Sequence, residues 1–189
     1  MNHPRIAITG GIGSGKSYVC RLLEERGIEV FNCDTVAKAI IAHDPDVRRE
    51  LTALIDAPLT KDALRRYIHA DEDNAARINA IVHPRVAQAF ADSGQQWMEC
   101  AILFESGFDR LVDRVVVVTC PETERLRRIT TRDNCSADTA RRWIALQTSD
   151  DERLRRAHII NGDTHDAFHI INDGTAPLEP QIDRLLKLL

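Results

Sequence analysis

An α/β fold on a parallel sheet, interrupted by an all-helical insertion, is what this sequence predicts, and three observations predict it. A strand, a glycine loop, a helix and a second strand fill the first 31 residues. Two strands joined through a helix are the usual way to make parallel neighbours. Between residues 35 and 96 no segment has the character of a strand. Beyond it, RVVVVTC at 114–120 holds four consecutive valines, the pattern of a strand covered on both faces.

The elements follow in order. Arg5–Thr9 is a short apolar run ending at glycine, a buried strand. Lys16–Arg26 places Val19, Leu22 and Leu23 at helical spacing, and Gly27 ends it. Ile28–Phe31 is the second strand. Helices are expected at 35–43, 45–56, 61–69, 71–82 and 85–96, broken at Pro45, Pro58 and Pro84. Strands resume at Trp97–Phe104 and Arg114–Cys120. Pro121 opens a helix to about Arg132, with Glu122 and Glu124 near its positive end. Ser136 is a good N-cap for a helix reaching Gln147, and a short helix spans 150–156. AHIINGDT (157–164) and FHIINDGT (168–175) form a near-repeat at an offset of 11, read as two edge strands with similar turns. Pro177–Leu189 is a closing helix. The chain then divides into a core (1–34, 97–124 and 157–189), a helical insertion (35–96) and a lid region (125–156).

Composition narrows the function classes. The chain has 189 residues, 43% apolar and 29% charged, enough for a sizeable core. A net charge of −4 argues against nucleic acid or an anionic membrane as partner, so polyanions must be met by a local basic patch. No apolar run approaches the roughly 20 residues that cross a bilayer, and the N-terminus lacks a signal-peptide layout. A cytoplasmic location is the expectation. The five cysteines show no CxxC pair and no metal spacing, so they read as reduced thiols.

ITGGIGSGKS at 8–17 packs four glycines and one lysine into ten positions, in a chain where only four of the 25 basic residues are lysines. Residues 10–17 fit G-x-x-x-x-G-K-[ST], the P-loop. Glycines let successive N–H groups converge on phosphate oxygens, and the following helix aims its positive end there. Gly11, Ile12, Gly13, Ser14, Gly15, Lys16 and Ser17 are therefore the nucleotide contacts. Lys16 is expected on the β- and γ-phosphates and Ser17 on Mg²⁺. The fold class becomes a three-layer α/β/α P-loop NTPase fold, with a nucleoside triphosphate and Mg²⁺ as ligands.

Asp34 follows the second strand, where open parallel sheets place their ligands. It could accept a proton from an attacking hydroxyl, hold Mg²⁺ through water, or only cap the next helix. Six arginines (125, 127, 128, 132, 141 and 142) crowd one stretch offset by Asp133 and Asp138 alone. Arg132 and Arg128 are the best candidates for phosphate; Arg153, Arg155 and Arg156 read as surface. Glu105, at the end of an apolar run, could orient metal-bound water, contact substrate, or cap the turn into Ser106-Gly107. His83-Pro84 joins two helices of the insertion. The remaining histidines (3, 43, 69, 158, 165 and 169) have no spacing that suggests chemistry.

These residues together resemble the dephospho-CoA kinase family, the last enzymes of coenzyme A synthesis. The resemblance covers about residues 5 to 185. TGGIGSGKS (9–17) resembles the family's opening, and NCDTVAK (32–38) is similar to its DADxxAR element. LTKDALRRYIHAD (59–71) and INAIVHPRV (78–86) resemble its helical insertion, and CAILFES (100–106) its PLLFE strand. RITTRDNCS with Gln147 resembles its lid, and IINDG (170–174) its C-terminal asparagine turn.

The resemblance implies ATP-dependent phosphorylation of the 3′-hydroxyl of dephospho-CoA; separately, a monomer or weak homo-oligomer is the expected assembly. The resemblance also implies a catalytic base at Asp34, assisted by Lys16 and Arg132. Arg128 and Asn172 join the nucleotide side, Asn172 being preferred to Asn161 because the closing helix follows it directly. Asp34, His83 and Glu105 are the substrate-side candidates. The sequence departs from the family pattern at Tyr18, Asn32, Lys38 and Ala101. A guanine-reading NKxD and a DxxG switch, which a regulatory GTPase needs, are missing from the chain.

Overall fold

The computed structural model describes residues 4–162 and 168–189; His3, His165 and the end of the first near-repeat copy, Asp163-Thr164, lie outside them. The chain forms two compact units, one of residues 1–31 with 95–189 and one of residues 32–94.

The first unit is built on a five-stranded sheet of order β2-β3-β1-β4-β5. Its strands are β1 (Ile6–Thr9), β2 (Val30–Asn32), β3 (Trp97–Glu99), β4 (Arg114–Thr119) and β5 (His169–Ile171). β1 pairs in parallel with β3 and β4, and β4 with β5. Val115–Val118 are at most 1% exposed, as a strand covered on both faces requires. On one side, α1 (Lys16–Glu24) and α9 (Leu178–Leu186) pack Val19, Leu22, Leu23, Ile182 and Leu185 onto Ile6, Ile8, Val116 and Val118. α6 (Glu122–Asp133), α7 (Ala137–Ala145) and α8 (Asp150–Asn161) follow β4 in the chain.

Two strands predicted from the sequence are corrected here. The apolar run Trp97–Phe104 pairs only as far as Glu99. Cys100 N–H still donates to Ile8 C=O at 3.0 Å, after which the chain turns. Leu103 and Phe104 are buried by packing in that turn, so their hydrophobicity does not signal a strand. The first near-repeat copy is helical through Asn161, because Arg153, Ala157 and Asn161 form one buried face of α8 at a spacing of four. Asn161 closes that face. Its Oδ1 accepts from Val115 N–H at 2.9 Å, and its Nδ2 donates to Val115 C=O at 2.8 Å. Asn161→Ala strands two buried backbone groups and should cost about 3 kcal/mol of stability, read from urea unfolding. An unchanged urea midpoint would show that these two bonds are dispensable.

The second unit holds α2 (Cys33–His43), α3 (Pro45–Ile55), α4 (Lys61–Ala70) and α5 (Asn74–Ser93). Asn32 caps α2 through Thr35 N–H at 2.8 Å, Asp44 caps α3, and Thr60 caps α4. The break expected at Pro84 does not occur: α5 runs through it. Asn74, Ile78, Val82, Val86 and Phe90 make one buried stripe across the proline. Pro84 itself and Ala80, whose C=O loses its donor, are both exposed. Water can serve that carbonyl, and burial of the stripe outweighs the roughly 3 kcal/mol of a helical proline.

Candidate functional site

β1 delivers the chain into Gly10–Gly15, and α1 begins at Lys16 with Gly15 as N-cap, φ 93°, and no side-chain cap. The first-turn donors are thus left for a ligand. The N–H groups of Gly13, Gly15, Lys16 and Ser17 make no hydrogen bond among the described residues. Gly15 has a steric reason as well: a Cβ there would stand 2.0 Å from Asn172 Nδ2. The Ser14 hydroxyl is buried without a hydrogen-bond partner. These converging donors suit a polyphosphate.

A cavity of about 660 Å³ opens beside the loop, lined by Gly13, Lys16, Ser17, Arg128, Arg132 and Gln147 among others. Burial lowers the Lys16 pKa below its ordinary value; Glu99 partly offsets this, and the Arg153 charge adds to it. A lysine so placed gains most from a phosphate partner. Ser17 Oγ donates to Glu99 Oε1 at 2.8 Å. Among the described residues no group of three or more His, Cys, Asp or Glu could hold a metal alone. One hydroxyl with one adjacent carboxylate fits Mg²⁺, which keeps waters and takes phosphate oxygens.

Asn172 donates from Nδ2 to Ser14 C=O at 2.9 Å, and Arg128 Nη2 reaches Asn172 C=O at 3.2 Å. Arg128 Nε is anchored on Glu124 at 2.9 Å. The structure therefore brings residues 11–17, Arg128 and Asn172 together, whereas Asn161 serves β4. Arg132 lines the cavity but is held in two bonds by its neighbour Asp133, at 2.9 and 2.7 Å. Tyr18, the departure beside the loop, lines the cavity and carries Arg21 over its ring at 5.5 Å.

Glu105 lies in the turn beyond β3, and Glu99 holds the strand-end position expected of it. Sequence reading missed Glu99, although an acid at the end of an apolar strand beside the P-loop strand was a usable signal. Burial raises the Glu105 pKa, but hydrogen bonds from Thr148, its own backbone and the Arg153 charge hold it lower than usual. Thr148 Oγ1 donates to Glu105 at 2.5 Å. Arg153, expected on the surface, is fully buried, 3.1 Å from Asp150 and 3.9 Å from Glu105. The α8 stripe against β4 turns it inward.

In the second unit, Asp34 occupies the first turn of α2 without capping it, since Asn32 does so. Its side chain is 75% exposed, with Lys38 Nζ at 2.5 Å. Such an exposed pair is worth about 0.4 kcal/mol and is easily broken. His83 lies within α5 rather than between helices, half-buried, and burial lowers its pKa. Its contribution to stability is complete above pH 6.5, where both states are neutral. That contribution is lost as pH falls through the folded value, because the unfolded chain takes the proton first. Titration by NMR should put His83 below 6.5; a value above it would contradict burial as the cause.

The model of the dephospho-CoA kinase family matches residues 5–167. A dephospho-CoA kinase from Bacteroides fragilis is 40% identical, over 98% of this chain and 92% of its own length. The crystal structure of TT1252 from Thermus thermophilus is similar, with a TM-score of 0.79 at 27% identity, covering 99% of this chain and 96% of that one. A dephospho-CoA kinase from Campylobacter jejuni shares the fold, with a TM-score of 0.61 at 19% identity over 97% and 94% of the two chains.

Proposed function

The chain belongs to the dephospho-CoA kinase family, and we propose on that footing that its Lys16, Ser17, Asp34 and Arg128 carry transfer of the γ-phosphoryl group of ATP to the 3′-hydroxyl of dephospho-CoA. Membership makes it a kinase that phosphorylates dephospho-CoA, the final ATP-dependent step of coenzyme A biosynthesis. The observation that carries the site assignment is the ring of four uncommitted amides at the mouth of α1, beside Lys16 and a cavity edged by arginines.

In this reading the triphosphate lies on residues 10–17. The Gly13, Gly15, Lys16 and Ser17 amides take its oxygens, and Asn172 keeps the loop shaped from behind. Lys16 and Arg128 spread the charge that develops on the transferred group. Asp34 accepts the proton of the 3′-hydroxyl as its oxygen attacks phosphorus in line. Ser17 Oγ, next to Glu99, would hold Mg²⁺, which supplies charge neutralisation at the phosphates. Arg132, in the lid region, leaves Asp133 and turns its side chain to join the phosphates. His83 and Glu105 are the further residues proposed to contact the acceptor. The protein acts as a monomer or weak homo-oligomer in the cytoplasm; no helix of the described residues is long and apolar enough to cross a membrane. The test is a panel of acceptors, dephospho-CoA and nucleoside monophosphates among them, with γ-labelled ATP. Label should enter dephospho-CoA and no nucleoside monophosphate; label entering a monophosphate instead would overturn the reading.

A further inference from the structure

The P-loop is gripped from outside at one residue, Ile12, whose two polar backbone atoms the proposed chemistry leaves unused. Ile12 N–H donates to Gln147 Oε1 at 2.7 Å, and Arg125 Nε donates to Ile12 C=O at 2.9 Å. Both polar atoms of one loop residue are thus committed to side chains more than a hundred positions away. Arg125 is only 6% exposed, with Nη1 3.4 Å from Asp150. Its fit is close: a Cβ on Gly11 would lie 2.2 Å from Arg125 Nη2, so only glycine admits the guanidinium there. The Arg125 backbone packs on Gly13 as well, its carbonyl oxygen 3.0 Å from where a Cβ would be.

We propose that Arg125 is a positioning residue, which sets the Ile12–Gly13 peptide so that the Gly13 N–H faces the outer phosphates before nucleotide arrives. The reason is peptide planarity. In a trans peptide the C=O of one residue and the N–H of the next point to opposite edges of one plane. Arg125 holds the Ile12 C=O on the α6 side, which turns the Gly13 N–H to the other side. Gln147 fixes the preceding peptide in the same way, so the loop cannot relieve one grip by rotating at Ile12. Gly13 lines the cavity, and its N–H makes no hydrogen bond among the described residues. Gly13 stands three positions ahead of Lys16 and so meets the outer part of the triphosphate, leaving the inner part to the amides of the helix start. A donor fixed beforehand needs no reorganisation during transfer, which is where such groups gain their effect.

The inference rests on the nucleotide reading above, and its test separates the two. Arg125→Met reaches the chain position of Nε with a methyl group and so removes the donor. In Arg125→Gln the Nε2 sits at the chain position of the arginine Nε and keeps it. The full-length Met variant should lose about 30-fold in kcat/KM for ATP and at least tenfold in ATP affinity, with ADP affinity changed less than about threefold. Gln should restore all three to within about threefold of wild type. With glycine-selective ¹⁵N labelling, the Gly13 amide of the free protein should shift in Met and return in Gln. Should Met fail to fold, Arg125→Lys takes its place, since its charge lies beyond the carbonyl and no donor stands at the Nε position. Equal losses of ATP and ADP affinity, or an unmoved Gly13 amide with wild-type turnover, would overturn the clamp alone. A wild-type chain that binds no ATP would overturn the nucleotide reading and the clamp with it.

Discussion

Asp34→Asn should lower kcat about a thousandfold and leave ATP affinity within a few fold. General-base catalysis contributes roughly 10² to 10⁴, and the amide has the shape of the carboxylate without its capacity to take a proton. The folded state should barely notice the change. Asn32, rather than Asp34, caps α2, and the lost ion pair with Lys38 is exposed on both sides. Circular dichroism and nucleotide titration of the variant would therefore match wild type while turnover falls. Near-normal turnover would remove Asp34 from the role of base. A parallel loss of ATP affinity would place it on the nucleotide instead.

Lys16→Met should lower kcat/KM for ATP by about a thousandfold, with ATP affinity falling as well. Methionine keeps most of the aliphatic stem and deletes the charge proposed to face the phosphates. Stability moves the other way. Burial holds the Lys16 pKa below 10.5, so over the interval between the folded and unfolded values the unfolded chain binds the extra proton, and stability rises with pH there. Removing the lysine removes that penalty, and the free variant should be at least as stable as wild type near neutrality. A destabilised Lys16→Met protein would contradict the assignment of burial as the main influence on this amine.

Much of this was legible in the residues, for physical reasons that differ by element. The βαβ start and the phosphate loop are local: glycine spacing, an apolar run and helical periodicity all act within a few turns of chain. The Val115–Val118 run is equally self-explanatory, since only a strand covered on both faces is so uniformly apolar. Misreadings arose where long-range packing decided. Pro84 has the sequence signature of a helix break, yet a buried stripe on the opposite face carries α5 across it. Leu103 and Phe104 extend an apolar run past the last paired residue, which moved the expected strand-end acid from Glu99 to Glu105. Arg153 sits in a charged stretch, Asp150 to Arg156, that looks like solvated surface; only the α8 stripe packed on β4 shows that it turns inward. Arg125 was one arginine of six until the structure put its Nε on the Ile12 carbonyl. A single backbone hydrogen bond of that kind leaves no periodic or compositional trace.

The central claim is that a triphosphate held by residues 10–17 is attacked by one particular alcohol. The most direct measurement is coupled ADP release by the wild-type protein, with ATP·Mg²⁺ and dephospho-CoA as the only acceptor, run beside its 3′-deoxy analogue. ADP should appear steadily with dephospho-CoA, and at no more than the acceptor-free rate with the analogue. Equal ADP release from both, or none from dephospho-CoA, would contradict the account.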